Sequence, residues 1–299
     1  MDLTALSGCL STPACAITQL STGLIMGMLL FLVASGLSLI FGVLGVINFA
    51  HGAFYMLGAY FALAGYQLTG NFLVALAAGA LGMGVFGGLF ERLFISRIYG
   101  RDVLMQLLLC YAFVLILDDM VKIIWGAEYQ MMGMPKSFAL PPVFVAGGAV
   151  PPYYIFMIGA SVVVGALLWL GIARTRFGKL VRAAAHNPQM VGALGINTSV
   201  LYASVFAIGS LLAGLAGALA APVRTLTPGM GLSILIESFI VTVIGGMGSI
   251  VGAFVAALLI GLTRALGSVG FPLFVDGAMF VMMGLVLILR PSGLFGRQV

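Results

Sequence analysis

Asn48 and His51 stand three residues apart inside an apolar run, so they share one face if that run is helical. Glu237 lies in the middle of a second apolar run, Leu232 to Met247, where a carboxylate is costly unless paired or hydrated. Two readings of Glu237 stand: a group facing a polar route, or the acid of a structural ion pair with Arg224 or Arg264. Gly245, Gly246 and Gly248 follow it and interrupt the helical pattern, where backbone groups can face a cavity. Asp118 and Lys122, four apart, read as a local ion pair on one helix face.

None of these residues forms hydrolytic machinery. There is no GxxxxGK[ST] phosphate loop, no HExxH and no GxSxG elbow, and two histidines cannot build a metal site. The sequence therefore predicts no enzyme activity, no catalytic residue, and neither cofactor nor metal on this chain. The formal charge of +5 is a topology signal and gives no reason to invoke nucleic acid. Cys9, Cys15 and Cys110 lack metal-ligand spacing; free thiols are expected, with a Cys9–Cys15 disulfide on an outer face as the alternative.

The longest polar stretch of the second half, residues 174–197, is the third candidate. Arg174, Arg176, Lys179 and Arg182 fall there without an acidic residue among them. Phe177, Leu180, Val181 and Ala184 recur at helical spacing and give one apolar face, with Lys179 and Arg182 off it. Asn187–Pro188 reads as a cap followed by proline at the first helical position, and Gly195 as a helix end. The pattern is a pair of short surface helices. It suits docking into a cytoplasmic partner, or else lying against lipid.

The elements that must hold these residues are membrane helices. The chain is 62% hydrophobic and 7% charged, against about 25% charged in soluble domains. Apolar runs near or above 18 residues recur along its length, which predicts an all-α, polytopic helical membrane protein. We read about 8–9 transmembrane helices, short or broken near 42–69 and 232–266, in a single transmembrane domain over 1–299. The expected spans begin with Leu20–Phe41 and include Phe72–Phe90, Val103–Trp125, Pro152–Ile172, Ser199–Ala221 and Phe271–Leu289. The first of them is expected to remain as a span, because no basic segment precedes it as in a signal peptide. The proline-rich loop 126–151 is expected to lack regular helix.

Nine basic residues lie in 91–102, 173–198 and the C-terminal tail: Arg92, Arg97, Arg101, Arg174, Arg176, Lys179, Arg182, Arg290 and Arg297. The positive-inside rule places 174–197 and the C-terminus in the cytoplasm. Three crossings before residue 91 would put the N-terminus outside, unless 42–69 is re-entrant. Residues 51–62 also echo 245–256, Gly52 against Gly246 and Gly58 against Gly252, as a short internal repeat would.

Four stretches in order, FGVLGVINFAHGAFYMLGAY, RTRFGKLVRAAAHNPQMVGALGIN, VIGGMGSIVGA and LRPSGLFG, carry a resemblance covering the chain from about residue 20. The chain resembles the membrane permease of bacterial branched-chain amino-acid ABC transporters, more closely the first of that system's two permeases. The resemblance implies an inner-membrane, multi-pass subunit that moves leucine, isoleucine or valine inward. It implies as partners a second related permease, two cytoplasmic ATPases that carry the ATP and magnesium, a periplasmic binding protein and membrane lipid. Residues 174–197 match the family's ATPase-coupling loop, with Phe177, Gly178, Asn187, Pro188 and Gly195 carried over. Asn48, Phe49, His51 and Gly52 match its first-half motif, and Gly245, Gly246 and Gly248 its second. Permeases for urea, short amides or other amino acids share these motifs. A proton-coupled carrier using Glu237 and His51 is the remaining rival.

Overall fold

Hydrocarbon cannot hydrogen-bond to a backbone, so apolar segments that cross a bilayer satisfy their own N–H and C=O groups as helices. The computed structural model describes residues 3–296, and the side chains of all of these except Leu3 and Ala5. Arg297 of the charge count lies outside the described residues. The helices are α1 (Leu3–Ser11), α2 (Pro13–Leu44), α3 (His51–Thr69), α4 (Phe72–Leu93), α5 (Val103–Trp125) and α6 (Pro152–Arg174). They continue with α7 (Arg176–His186), α8 (Pro188–Ala193), α9 (Thr198–Ala220), α10 (Met230–Gly245), α11 (Ile250–Gly270) and α12 (Val275–Leu289). Among the described residues, six helical stretches are long and apolar enough to cross a membrane: Pro13–Leu44, Phe72–Arg97, Pro152–Arg174, Thr198–Ala220, Ile250–Gly270 and Pro272–Leu289. The chain is thus an all-α polytopic membrane protein with at least six spanning helices.

The core forms around α2. It begins at Pro13, earlier than the apolar run suggested, because proline at the first helical position suits a helix start. Its 32 residues extend about 48 Å at 1.5 Å per residue, and 28–40 are buried throughout. α11 runs antiparallel to it, with Gly23 against Leu262, Gly27 against Leu258 and Gly42 against Gly248. α6 runs alongside in parallel, Gly148 beside Ile17 and Gly165 beside Phe31. These directions define two ends. One gathers Gly42, residues 95–101, α7, α8, the 246–249 turn and residues 290–296, and with them Arg92, Arg97, Arg101, Arg174, Arg176, Lys179, Arg182 and Arg290. We call it the basic end. The far end holds 126–151 and the 221–229 turn, tied together by backbone bonds between Gln130 and Leu226.

Several expectations are corrected. The break expected near 42–69 is present and falls at 45–50; α2 ends at Gly45 (φ +66°) and α3 resumes at His51. Asn48 therefore sits in the loop and shares no helix face with His51. The echo between 51–62 and 245–256 has no structural counterpart, since the first lies wholly within α3 and the second crosses the α10–α11 turn. Lys122 pairs with Asp119 at 2.8 Å, while Asp118 Oδ1 accepts from Gly229 N at 3.3 Å and holds the start of α10. Cys9 and Cys15 are bonded and not free thiols; Cys110 is free and buried. The loop 126–151 also contains a small hairpin, β1 (Val143–Val145) with β2 (Gly148–Val150). Ala146 (φ +47°) and Gly147 (φ +85°) form its two-residue turn, as strand twist favours.

At the basic end, Tyr99 Oη donates to Glu91 Oε1 at 2.5 Å, and Glu91 is fully buried. Burial and the adjacent carboxylate push the Tyr99 hydroxyl well above the usual tyrosine range, so it stays a donor at any physiological pH. Tyr99→Phe should leave a buried carboxyl without its donor and cost about 1–3 kcal/mol. A lowered melting temperature with unchanged helical content would show it; an unshifted melting curve would count against this anchoring role.

Candidate functional site: a buried polar seam joined to a basic surface

α3 and α10 meet at their first turns. Gly52 faces the Gly231 carbonyl so closely that a Cβ there would collide with it and lie 2.7 Å from Leu235 Cβ. Only glycine permits this approach, which is what Gly52 contributes to its motif. Beside it, Asn48 and His51 are fully buried. Asn48 Oδ1 accepts from Ala50 N at 3.0 Å and its backbone carbonyl from His51 N at 3.2 Å, closing the re-entry into α3. His51 Nε2 lies 3.0 Å from the Val33 carbonyl oxygen. A carbonyl only accepts, so Nε2 carries the proton and the ring is held in one tautomer. Phe49 stacks on Phe239, centroids 6.3 Å apart.

Glu237 is on α10, 9% exposed, and forms an ion pair with Arg264 of α11. Arg264 also reaches Asp276 of α12 at 3.4 Å, so one guanidinium links three helices. Of the two partners foreseen for Glu237, the structure uses Arg264. Its second oxygen, Oε2, is buried without a hydrogen-bond partner. Arg224 instead lies beside Tyr55 of α3, the two lining one narrow cleft. That Arg224–Tyr55 contact was not foreseen, because nothing in sequence pairs a loop arginine with a tyrosine of an apolar helix.

Gly245, Gly246 and Gly248 lie at the opposite, basic end of α10. Gly245 packs on Gly252, and the backbone of 294–295 bonds to Ile244 O and Gly245 O at 2.8 and 3.0 Å. Gly246 (φ +97°) and Gly248 (φ +87°) shape the turn into α11. The structure thus places the second-half glycines apart from Glu237, in a turn sewn to the C-terminal segment.

The stretch 174–197 forms the two helices read from sequence. Asn187 Oδ1 accepts from Met190 N at 2.9 Å, Pro188 follows it, and Gly195 adopts φ +81° just past α8. Thr175 caps α7 by accepting from Gly178 N at 3.1 Å, and donates to the Gly171 carbonyl at 2.5 Å. A Cβ at Gly178 would collide with the Ile172 carbonyl and lie 2.6 Å from Gly171 O. The apolar face, Val181, Ala184 and Val191, packs on Leu39 of α2 and on Leu201 and Val205 of α9, with Phe177 and Leu180 at its edge. Arg174, Arg176, Lys179 and Arg182 stay exposed, and Arg182 donates to the Ile172 carbonyl, closing the end of α6. Met190 and Leu194 are 59% and 72% exposed beside this basic face. Sequence reading missed these two; their position within a polar stretch was the available signal.

A half-open cavity of about 340 Å³ joins the pieces at the basic end. Ser38 and Gly42 of α2, Val181 and Arg182 of α7, and Gly248 and Phe295 are among its walls. Ser38 Oγ is buried there without a partner. The surface helices and the α10–α11 turn therefore share one space, over which α2 leads back to His51.

The profile of a family described as "Branched-chain amino acid transport system / permease component" matches residues 19–289. The high-affinity branched-chain amino acid transport system permease protein BraD of Pseudomonas aeruginosa is 33% identical, covering 93% of this chain and 95% of that protein. The corresponding permease LivH of Escherichia coli K12 is 29% identical over the same shares. The fructose import permease FrcC of Rhizobium meliloti is 32% identical over 40% of this chain and 34% of its own. No solved structure matches.

Proposed function

The chain belongs to the family of branched-chain amino acid transport permeases, and from that membership we propose how its parts work. It is a translocation subunit of an ABC importer, and ATP hydrolysis occurs on separate subunits. The carrying observation is the α7–α8 unit: an exposed basic face with Met190 and Leu194 on one side, and an apolar face fastened to the ends of α2 and α9 on the other. Such a unit transmits force from a docked partner to the helices that line a route.

The partner on that face is a cytoplasmic ATPase, the bearer of ATP and magnesium. Arg174, Arg176, Phe177, Gly178, Lys179, Arg182, Asn187, Pro188 and Gly195 serve the coupling: the arginines and lysine meet the partner, and the remainder keep the helices compact. A second, related permease completes the membrane core, and a periplasmic binding protein delivers leucine, isoleucine or valine. When the two ATPases close, α7 carries the basic ends of α2 and α9 with it. The route along Asn48, His51, Gly52 and Glu237 then opens outward, and hydrolysis returns it to the cavity beside Gly245, Gly246 and Gly248. The proton-carrier rival is less well served, because His51 is sealed from water and already committed to Val33.

We read nine passes, α2 to α6 and α9 to α12, in the inner membrane, with the N-terminus outside and the C-terminus in the cytoplasm. The Cys9–Cys15 disulfide supports this side for the N-terminus, since such bonds persist in oxidising compartments. In a chain freed of its own cysteines, Leu194→Cys should react with an impermeant maleimide only from the cytoplasm. Lys136→Cys should react only from outside, and the reverse pattern would overturn the orientation. The test of the function itself is co-purification: the permease should bring down two ATPases, and Met190→Glu with Leu194→Glu should release them. Retention of the ATPases by that double variant would contradict docking at α7–α8.

A further inference from the structure

Arg224 is the charged group of the buried seam that this function has not used. Among the described residues it forms no ion pair, whereas Arg264 is held by Glu237 and Asp276. Arg224 lies beside Tyr55, and both Arg224 and Glu237 act electrostatically on that tyrosine. Tyr55 is 2% exposed. Arg224 and Tyr55 border a narrow cleft whose other walls include Met26, Leu29, Val33 and Ile234. One turn beyond Ile234, Glu237 keeps Oε2 buried and unpartnered. A spare cation, a hydroxyl and an aliphatic wall therefore line one cleft between α2, α3 and α10, with a spare carboxylate oxygen one turn along α10 from that wall.

We propose that this cleft is a binding site for an aliphatic α-amino acid in zwitterionic form. The Arg224 guanidinium and Tyr55 hydroxyl hold the carboxylate, Glu237 Oε2 takes the ammonium, and Met26, Leu29, Val33 and Ile234 receive the side chain. The site deepens the permease reading and rests on it. The chemistry is complementary at each point: a guanidinium matches a carboxylate in two parallel bonds, and a buried oxygen lacking a donor gains one. In this conformation the cleft is closed to about 10 Å³, the room of a single water. Binding thus requires α10 to move from α2, as alternating access demands.

The test is competition against labelled leucine on the purified permease–ATPase complex without its binding protein. The competitors are leucine, leucinol, which lacks the carboxylate, and isocaproate, which lacks the amine. In the parent complex each analogue should compete at least about tenfold more weakly than leucine, as for a site built on polar complementarity. Arg224→Gln should erase the discrimination against leucinol and keep that against isocaproate; Glu237→Gln should do the opposite, and Tyr55→Phe should weaken leucine only modestly. Arg264→Gln separates recognition from packing, since a merely structural Glu237 would make Arg264→Gln and Glu237→Gln alike. Parental discrimination in both Arg224→Gln and Glu237→Gln overturns the site. A parent complex that binds a different aliphatic amino acid with the same variant pattern upholds the site and refutes the branched-chain cargo. Binding of no α-amino acid refutes the site.

Discussion

Gly178→Leu should reduce substrate-stimulated ATP hydrolysis by about 5- to 150-fold, the range that a coupling free energy of about 1–3 kcal/mol spans. The cause is local. At this position a Cβ meets the carbonyls of Gly171 and Ile172, where α6 ends and α7 begins. A longer side chain must push α7 away from α6 and break the Thr175 cap and the Arg182 contact with Ile172. The apolar face of α7 would then lose its seat on Leu39, Leu201 and Val205. Basal ATPase activity and the affinity of the free binding protein for substrate should not change, because neither involves this corner. Stimulated hydrolysis at the parental level in the reconstituted complex would refute the coupling role of Gly178.

Gly52→Leu should have the largest effect on the folded protein. Inserting methylenes into a packed core costs about 1–3 kcal/mol where neighbours can give. Here the neighbour is the Gly231 backbone, which cannot turn aside as a side chain can. Prising α3 from α10 also disturbs the Phe49–Phe239 stack and draws His51 from Val33. The expected result is a sharp loss of monodisperse permease in detergent, with Gly52→Ala an intermediate case. Parental yield and melting temperature for Gly52→Leu would show that the two helices do not rely on this contact.

The helical framework was largely legible because membrane helices declare themselves by length and apolarity. The run Leu232–Met247 became Met230–Gly245, and the two surface helices of 174–197 appeared with their Asn187 and Gly195 ends in place. Each of those features rests on local chemistry, a cap or a left-handed glycine. What was not legible depends on distant segments. The break foreseen somewhere in 42–69 could not be fixed to 45–50, because glycines recur through the whole stretch. Asp118 sits four residues from Lys122 yet bonds to Gly229, over a hundred positions away. The hairpin turn falls on Ala146–Gly147, where alanine gives no turn signal. The Arg224–Tyr55 contact exists only once the 221–229 turn is tied beside α3. The candidate site was thus half visible: Glu237, with Arg264 as one of its two foreseen partners, Asn48 and His51 stood out as polar residues in apolar runs, while the partners of Asn48 and His51 did not.

The most direct measurement is transport by the permease, its partner permease, both ATPases and the binding protein in sealed proteoliposomes. The account predicts that ATP on the cytoplasmic side drives uptake of leucine, that leucine raises ATP hydrolysis, and that urea does neither. Uptake that follows an imposed proton gradient without ATP, or stimulation by urea in place of leucine, would contradict it.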